Sequence, residues 1–162
     1  VESTQNKGST FGFTIELKSK GSYQEEETII HNDQPIGVLS CEFPMKIMVA
    51  EDNFINQKLA VYVFEHLGYD VHLVQNGMEA IDACKIEHFD LIFMDIHMPE
   101  LDGITATKRI LSEIKNPPVI VALTANVVGE SQKECLEAGM LDFVHKPFKI
   151  CDLERVIRAV RA

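Results

Sequence analysis

Five chemically active side chains follow short apolar stretches of this sequence, at the points where those stretches end. They are Glu51, Asp52, Asp95, Thr124 and Lys146. Carboxylates held close together repel one another unless a cation joins them, and an all-oxygen ligand set suits Mg²⁺ better than Zn²⁺. A lysine and a hydroxyl nearby would supply a positive charge and a hydrogen-bond donor to phosphoryl oxygens. The residue types therefore indicate metal-assisted phosphoryl transfer, in which an aspartate can act as the nucleophile and form an acyl phosphate.

Each of these side chains also has an ordinary structural explanation. A strand-terminal aspartate such as Asp95 is more often a helix cap or a surface residue than a nucleophile. Glu51 and Asp52 could cap the helix that follows them, Thr124 could be a capping threonine and Lys146 a solvated lysine. The functional interpretation therefore depends on whether the fold brings all five together.

The elements that must position these residues alternate between strands and helices. Runs rich in Val and Ile predict strands at 46–50, 70–74, 90–94, 119–122 and 141–144. Helical spacing predicts helices at about 55–67, 77–87, 103–114, 127–138 and 152–160. Almost wholly apolar strands separated by helices are typical of a parallel α/β sheet, where reacting groups lie outside the carboxyl ends of the strands. We therefore expect the five side chains to meet at that edge.

The motifs at these positions, taken in their order and spacing, resemble the receiver domain of two-component response regulators over residues 45–161. They are Glu51-Asp52-Asn53, the run MDIHMPELDG at 94–103, Leu123-Thr124-Ala125 and His145-Lys146-Pro147-Phe148. Asn56-Gln57 and Ala138-Gly139-Met140 are similar to the receivers of hybrid kinases in particular. The resemblance implies a flavodoxin-like α/β fold, with a five-stranded parallel sheet of order 2-1-3-4-5 flanked by five helices.

The same resemblance implies a phosphoacceptor and a metal site. It makes Asp95 the phosphoacceptor, and Glu51 and Asp52 the acidic pair around Mg²⁺ or Mn²⁺. Asp95 and the main-chain carbonyl of His97 would be further metal ligands, which leaves the His97 imidazole in solvent.

Switch residues are implied as well. Thr124 matches the switch hydroxyl, Lys146 the phosphate-binding lysine and Phe143 the aromatic switch position. Phosphorylation would draw Thr124 toward the phosphate, let Phe143 reposition and alter the face of the last two helices. Lys146-Pro147 is expected to be a cis peptide, as in the family.

The first part of the chain carries a separate resemblance. Residues 7–13 are similar to the closing segment of a histidine-kinase ATP-binding domain, and residues 10–17 alternate as a lone strand would. Turn-forming and acidic residues without a sustained period indicate a linker at 18–44. We therefore predict a kinase remnant at 1–17, a linker at 18–44 and a receiver at 45–162. A chain that starts at Val1 in this way is expected to be part of a longer hybrid histidine kinase.

Composition limits the partners. A formal charge of −10 disfavours nucleic acid and anionic lipid. No segment approaches the roughly 18 apolar residues of a membrane helix. Four cysteines without metal-ligand spacing are typical of reduced thiols. We expect a cytoplasmic piece with no nucleic-acid or direct membrane contact, whether or not the parent protein is membrane-anchored.

We expect this chain to take a phosphoryl group from a phosphohistidine, on its own kinase core or on a histidine phosphotransfer domain, and to relay it or lose it by hydrolysis. Its own chemistry would be limited to Mg²⁺-dependent self-phosphorylation and dephosphorylation. It would have no autokinase activity, because the phosphoacceptor helix and most of a nucleotide pocket are missing.

Two alternatives remain open. A phosphatase of the haloacid dehalogenase type also uses a strand-terminal aspartate and Mg²⁺, but it places DxDx[TV] after its first strand, where this chain has Glu51-Asp52-Asn53. A pseudo-receiver would bind partners without taking phosphate, although all five matched side chains are present.

Overall fold

The structure is a computed structural model that describes residues 2–4, 8–10, 38–125 and 130–161. The chain divides into two compact units, Val1–Asp33 and Gln34–Ala162. In the first unit, β1 (Glu2–Thr4) pairs antiparallel with β2 (Gly8–Thr10), a pairing that the sequence did not predict. The predicted strand continues through residues 11–17, which lie outside the described residues.

The described part of the second unit contains five strands and six helices. The strands are β3 (Ile47–Ala50), β4 (Val71–Val74), β5 (Leu91–Asp95), β6 (Val119–Thr124) and β7 (Asp142–His145). The helices are α1 (Val38–Glu42), α2 (Phe54–His66), α3 (Gly77–Ile86), α4 (Gly103–Glu113), α5 (Glu130–Glu137) and α6 (Ile150–Arg161). No helix in the described ranges is long and apolar enough to cross a bilayer.

All five strands of this unit are parallel and form one sheet in the order β4-β3-β5-β6-β7. Counted along the unit, this is 2-1-3-4-5, so the predicted flavodoxin-like fold is confirmed. Because the strands run in register and in one direction, their carboxyl ends lie at the same edge. Asp95 on β5 is in register with Leu123 on β6, and Thr124 with His145 on β7.

Side chains alternate across the sheet and form two apolar clusters, one on each face. Ile47, Leu91 and Phe93 belong to the first cluster, together with residues of α2 and α6. Met48 and Ile92 belong to the second, together with residues of α3, α4 and α5. The central strands β3, β5 and β6 are buried on both faces, which explains why they are nearly continuous apolar runs, whereas the edge strands β4 and β7 are only partly buried.

Helix ends follow local capping chemistry. The side chain of Asn53 accepts hydrogen bonds from the first turn of α2, and Asn76 and Asp102 do the same for α3 and α4. Gly68 and Gly139, the predicted ends of two helices, have positive φ angles of 87° and 97°.

Element bounds differ from the predicted ones at several ends. β5 includes Asp95 and β6 extends to Thr124, so both are the last residues of strands rather than the residues after them. α6 begins two residues earlier than predicted, at Ile150. The predicted start of the fourth helix, at 127, lies outside the described residues.

α1 lies inside the segment predicted to be a linker. Leu39 in this helix is only 5% exposed and belongs to the first apolar cluster. Five residues are too few to show a helical period, which is why the sequence pattern missed it. The division of the chain at residues 17 and 44 stays a prediction, but residues 38–44 pack as part of the second unit.

Candidate functional site

The carboxyl edge of the sheet brings the predicted carboxylates together. Glu51 directly follows β3, and Asp95 is the last residue of β5. One carboxylate oxygen from each of Glu51, Asp52 and Asp95 lies within 4.8 Å of the other two. Glu51 is 1% exposed and Asp95 6% exposed, whereas Asp52 is exposed. The cluster therefore has two buried carboxylates and one that faces solvent.

Lys146 supplies the positive charge beside this cluster. Its Nζ lies 2.6 Å from Oδ2 of Asp95 and also forms an ion pair with Oε2 of Glu51. Its backbone N–H donates to the carbonyl of Thr124 at 2.8 Å, which holds the lysine against the end of β6. The Lys146-Pro147 peptide is cis, as predicted. One ammonium therefore serves two buried carboxylates.

Asp95 is held by contacts to both of its oxygens. Oδ1 accepts a hydrogen bond from the backbone N–H of His97 at 3.2 Å, and Oδ2 accepts one from Lys146. Burial raises the pKa of Asp95, and the hydrogen bonds from Lys146 and His97 offset only part of that effect. The hydrogen bonds that the protein donates to Asp95 therefore offset only part of the cost of burying its negative charge.

Glu51 is positioned from the first turn of α2. Its Oε1 accepts from Asn56 Nδ2 at 2.9 Å and from the backbone N–H of Asn53 at 3.2 Å. Gln57 Nε2 donates to the Glu51 carbonyl at 2.6 Å. The sequence motifs included Asn53, Asn56 and Gln57, but their role in orienting Glu51 was not predicted.

The remaining oxygen of Glu51 indicates how the site fits a cation. Among the buried side-chain atoms of the described residues, Oε2 of Glu51 is the one without a hydrogen bond, although it has the ion pair with Lys146. A buried carboxylate oxygen that accepts no hydrogen bond is suited to metal ligation. The acidic cluster therefore fits a hard divalent cation held by Glu51, Asp52 and Asp95.

Gly103 allows the start of α4 to approach the end of β5. A Cβ atom on this glycine would lie 2.0 Å from the carbonyl oxygen of Asp95. The Gly103 N–H donates to the carbonyl of Ile96 at 3.0 Å, and the buried Thr107 hydroxyl donates to the Gly103 carbonyl at 2.7 Å. In the sequence, Gly103 ends the motif at 94–103 and begins a predicted helix, but no local pattern indicates its packing against Asp95.

The remaining predicted residues lie on or beside the same edge. Thr124 is 6% exposed at the end of β6, between the strands that lead to Asp95 and Lys146. Phe143 is half-buried on β7, packs against the second cluster and has its ring centroid 6.0 Å from that of His145. The side chain of His97 is exposed. The switch roles and the His97 carbonyl ligand stay predictions.

Comparison with known proteins gives the family. The family model of the response regulator receiver domain matches residues 47–158. The chain belongs to the response regulator receiver domain family. This receiver is 41% identical over 133 residues to histidine protein kinase 1 of Candida albicans, covering 75% of the chain and 5% of that kinase. It is 35% identical over 161 residues to hybrid signal transduction histidine kinase K of Dictyostelium discoideum, covering 93% of the chain and 13% of that kinase. The chain thus spans a small part of the curated relatives it matches.

Solved receivers share the fold of this receiver. The receiver domain of sensor histidine kinase PA1611 from Pseudomonas aeruginosa was solved with a magnesium ion coordinated in its active-site cleft. It is 37% identical, with a TM-score of 0.68 and coverage of 73% of this chain and 98% of that one. A second similar structure contains the receiver domain of Saccharomyces cerevisiae Ssk1 in complex with the histidine phosphotransfer protein Ypd1. The matched chain is 31% identical, with a TM-score of 0.65 and coverage of 70% of this chain and 86% of that one.

Proposed function

We propose that this receiver accepts a phosphoryl group from a phosphohistidine onto Asp95 and changes conformation in response, as part of a hybrid histidine kinase. The observation that carries the proposal is the convergence of Asp95, Lys146 and two further carboxylates at the end of β5. The histidine kinases among its relatives support the assignment to a hybrid kinase.

The reaction needs little beyond positioning and charge compensation. A carboxylate oxygen of Asp95 attacks phosphorus, a P–O bond forms, and the P–N bond to the donor imidazole breaks and leaves its electron pair on that nitrogen. Lys146 pairs with the phosphoryl oxygens, and the Thr124 hydroxyl donates a hydrogen bond to them. Mg²⁺ or Mn²⁺ bound by Glu51, Asp52, Asp95 and the His97 carbonyl would supply the remaining neutralisation of negative charge.

The test uses a small phosphodonor in place of a protein partner. With Mg²⁺ and acetyl phosphate, intact-mass spectrometry should show one added phosphate on the wild type. Asp95→Asn should show none, because an amide is not a nucleophile of this kind. Equal phosphate on both proteins would refute Asp95 as the acceptor, and circular dichroism of the variant checks that it is folded.

The switch follows from the same arrangement. The Lys146 N–H donates a hydrogen bond to the Thr124 carbonyl, and Phe143 lies on β7, the strand that ends one residue before Lys146. Movement of Thr124 and Lys146 toward a phosphoryl group would therefore pull on β7, reposition Phe143 and alter the face formed by α5 and α6.

An exposed apolar face of α2 supports a protein phosphodonor or acceptor. Phe54, Ile55 and Tyr62 are 66%, 75% and 60% exposed. Phe54 begins α2 two residues after Asp52, so this face starts beside the site. Large exposed apolar side chains next to a reacting group are suited to docking a partner. The partner is a phosphohistidine-bearing domain, either the kinase core of the parent protein or a histidine phosphotransfer domain.

Ile55→Asp tests this docking face. The variant should slow phosphoryl transfer from a phosphorylated histidine phosphotransfer protein by roughly tenfold or more, because a charge would be buried in the interface. Phosphorylation by acetyl phosphate should be unchanged. The matched control is Ile86→Asp, at a side chain that is 86% exposed on α3. Equal slowing by both variants, or by neither, would contradict docking on α2.

The proposed setting is the cytoplasm, where thiols stay reduced, and all four cysteines are free. The chain itself would have no autokinase activity, so its phosphate must come from a donor outside it.

A further inference from the structure

Residues 38–44, which we name the strap, comprise α1 and the two residues after it. The strap lies outside the 47–158 segment that matches the receiver family model. It nevertheless contacts two different parts of the receiver through tertiary hydrogen bonds and ion pairs.

The first set of contacts attaches the strap to the end of α2. Leu39 packs in the first apolar cluster, and the N–H of Ser40 donates to the Leu67 carbonyl at 3.2 Å. The hydroxyl of Tyr69, a residue that is 4% exposed, lies 2.7 Å from the Phe43 carbonyl and 3.2 Å from the Leu39 carbonyl. Burial raises the pKa of Tyr69 to about 12, so this hydroxyl stays a donor.

The second set attaches the strap to the last turns of α6. Arg158 Nη1 lies 3.1 Å from both carboxylate oxygens of Glu42, and its guanidinium carbon lies 5.4 Å from the ring centroid of Phe43. Arg161 donates to the carbonyl of Pro44 at 3.2 Å and to Asp90 at 3.0 Å. The strap is therefore held between α2 and α6.

The same face of α6 reaches β7. Arg155, one turn before Arg158, donates to Oδ2 of Asp142 at 2.5 Å and to the Phe143 carbonyl at 3.4 Å. β7 leads directly into Lys146, whose Nζ is bonded to Asp95. α6 thus has arginine contacts with the strap near its C-terminal end and with β7 near its middle.

We propose that the strap is a coupling element, docked when Asp95 is unphosphorylated and loosened by phosphorylation, so that the chain upstream of α1 receives the state of the site. This inference rests on the proposed function of Asp95. The direction follows from the geometry: Arg155 bonds α6 to β7, so a pull on β7 would shift α6 relative to α2, and a strap bonded to both helices would then lose contacts. Coupling between two sites is reciprocal, so strap release also favours the phosphorylated conformation.

Hydrogen exchange tests the coupling in the full chain. The backbone amides of Ser40 and Phe43 report on the strap. The Ser40 N–H donates to the Leu67 carbonyl outside the strap, and the Phe43 N–H donates to the Leu39 carbonyl within it. Phosphorylation by acetyl phosphate and Mg²⁺, verified by intact mass, should speed exchange at the strap at least threefold. Asp95→Asn treated in the same way should show no change.

A second variant keeps the test independent of covalent phosphorylation. Tyr69→Phe removes the hydroxyl that bonds the strap, and should speed Ser40 and Phe43 exchange roughly two- to tenfold. By linkage it should tighten binding of beryllium fluoride with Mg²⁺, a non-covalent phosphoryl mimic, by up to the same factor. Ser112→Ala is the control, because it removes an exposed hydroxyl of α4 that donates to the Arg109 carbonyl, and it should change neither quantity.

The outcomes separate the two levels of the proposal. Absence of phosphate on the wild type would overturn the proposed function and the coupling with it. Phosphate on Asp95 with unchanged strap exchange would overturn the coupling alone. Faster strap exchange in Tyr69→Phe with unchanged beryllium fluoride affinity would also overturn it.

Discussion

At the scale of the residue, charge balance at the site depends on Lys146. Its side chain is 14% exposed and is paired with Glu51 and Asp95, whose side chains alone are 1% and 8% exposed. Buried charges without a counterion are strongly unfavourable, whereas a paired set costs much less. Lys146 is therefore the cation that offsets part of the cost of burying these two carboxylates.

Lys146→Met should destabilise the receiver by about 3 kcal/mol in Mg²⁺-free buffer, because it leaves two buried carboxylates without their cation. Addition of Mg²⁺ should restore part of the loss. Urea unfolding with and without Mg²⁺ measures both effects. Lys133→Met, which removes an ion-pairing lysine that is 78% exposed, is the control and should cost less than about 1 kcal/mol. Equal losses in the two variants would contradict this account.

At the scale of the element, the packing of α4 against β5 sets the shape of the site. Gly103 is the first residue of α4 and lies against the Asp95 carbonyl. Asp102 caps the same helix by accepting from the Thr105 N–H at 2.8 Å. The cap fixes where the helix begins, and the glycine fixes how closely that beginning approaches the phosphoacceptor strand.

Gly103→Ala should destabilise the receiver by roughly 1–3 kcal/mol, because the added methyl group overlaps the Asp95 carbonyl. Glycine to alanine usually favours a helix by up to about 1 kcal/mol, so the expected sign is opposite to the helix propensity. Phosphorylation by acetyl phosphate should slow as well, since the strand end must shift. Lys108→Ala, at an exposed position of α4, should change unfolding free energy by less than about 0.5 kcal/mol. A stabilised Gly103→Ala protein would show that the close approach is not required.

At the scale of the whole molecule, metal binding and folding are linked. The chain carries a formal charge of −10, and part of its acidity is concentrated at the carboxyl edge of the sheet. A cation that binds only the folded receiver stabilises the entire domain in proportion to the logarithm of its concentration above the dissociation constant.

Asp52→Asn separates metal binding from folding. Asp52 is exposed, so its substitution should change stability without Mg²⁺ by less than about 0.5 kcal/mol. At a Mg²⁺ concentration ten times its dissociation constant, the wild type should gain about 1.4 kcal/mol, and the variant should gain much less. Thermal unfolding across a Mg²⁺ titration measures the difference. Asp70→Asn, also exposed, is the control, and an identical Mg²⁺ response in Asp52→Asn would exclude Asp52 as a ligand.

The sequence alone determined the α/β class, the order of the five parallel strands by resemblance, and the residues at their carboxyl ends. These are local properties, because apolar runs, caps and motifs act over a few neighbouring residues. The same reasoning placed Asp95 and Lys146 at one edge, although the two are 51 positions apart, because parallel strands end together.

The tertiary structure decided the contacts that no local pattern encodes. α1 is too short for a period, and its partner Arg158 is 116 positions away from Glu42. The approach of Gly103 to Asp95 and the orientation of Glu51 by Asn56 likewise depend on how finished elements pack. Local conformational preferences determine which segments become helices and strands. Packing and long-range pairing determine which of their side chains meet, and these contacts are specified only by the folded chain.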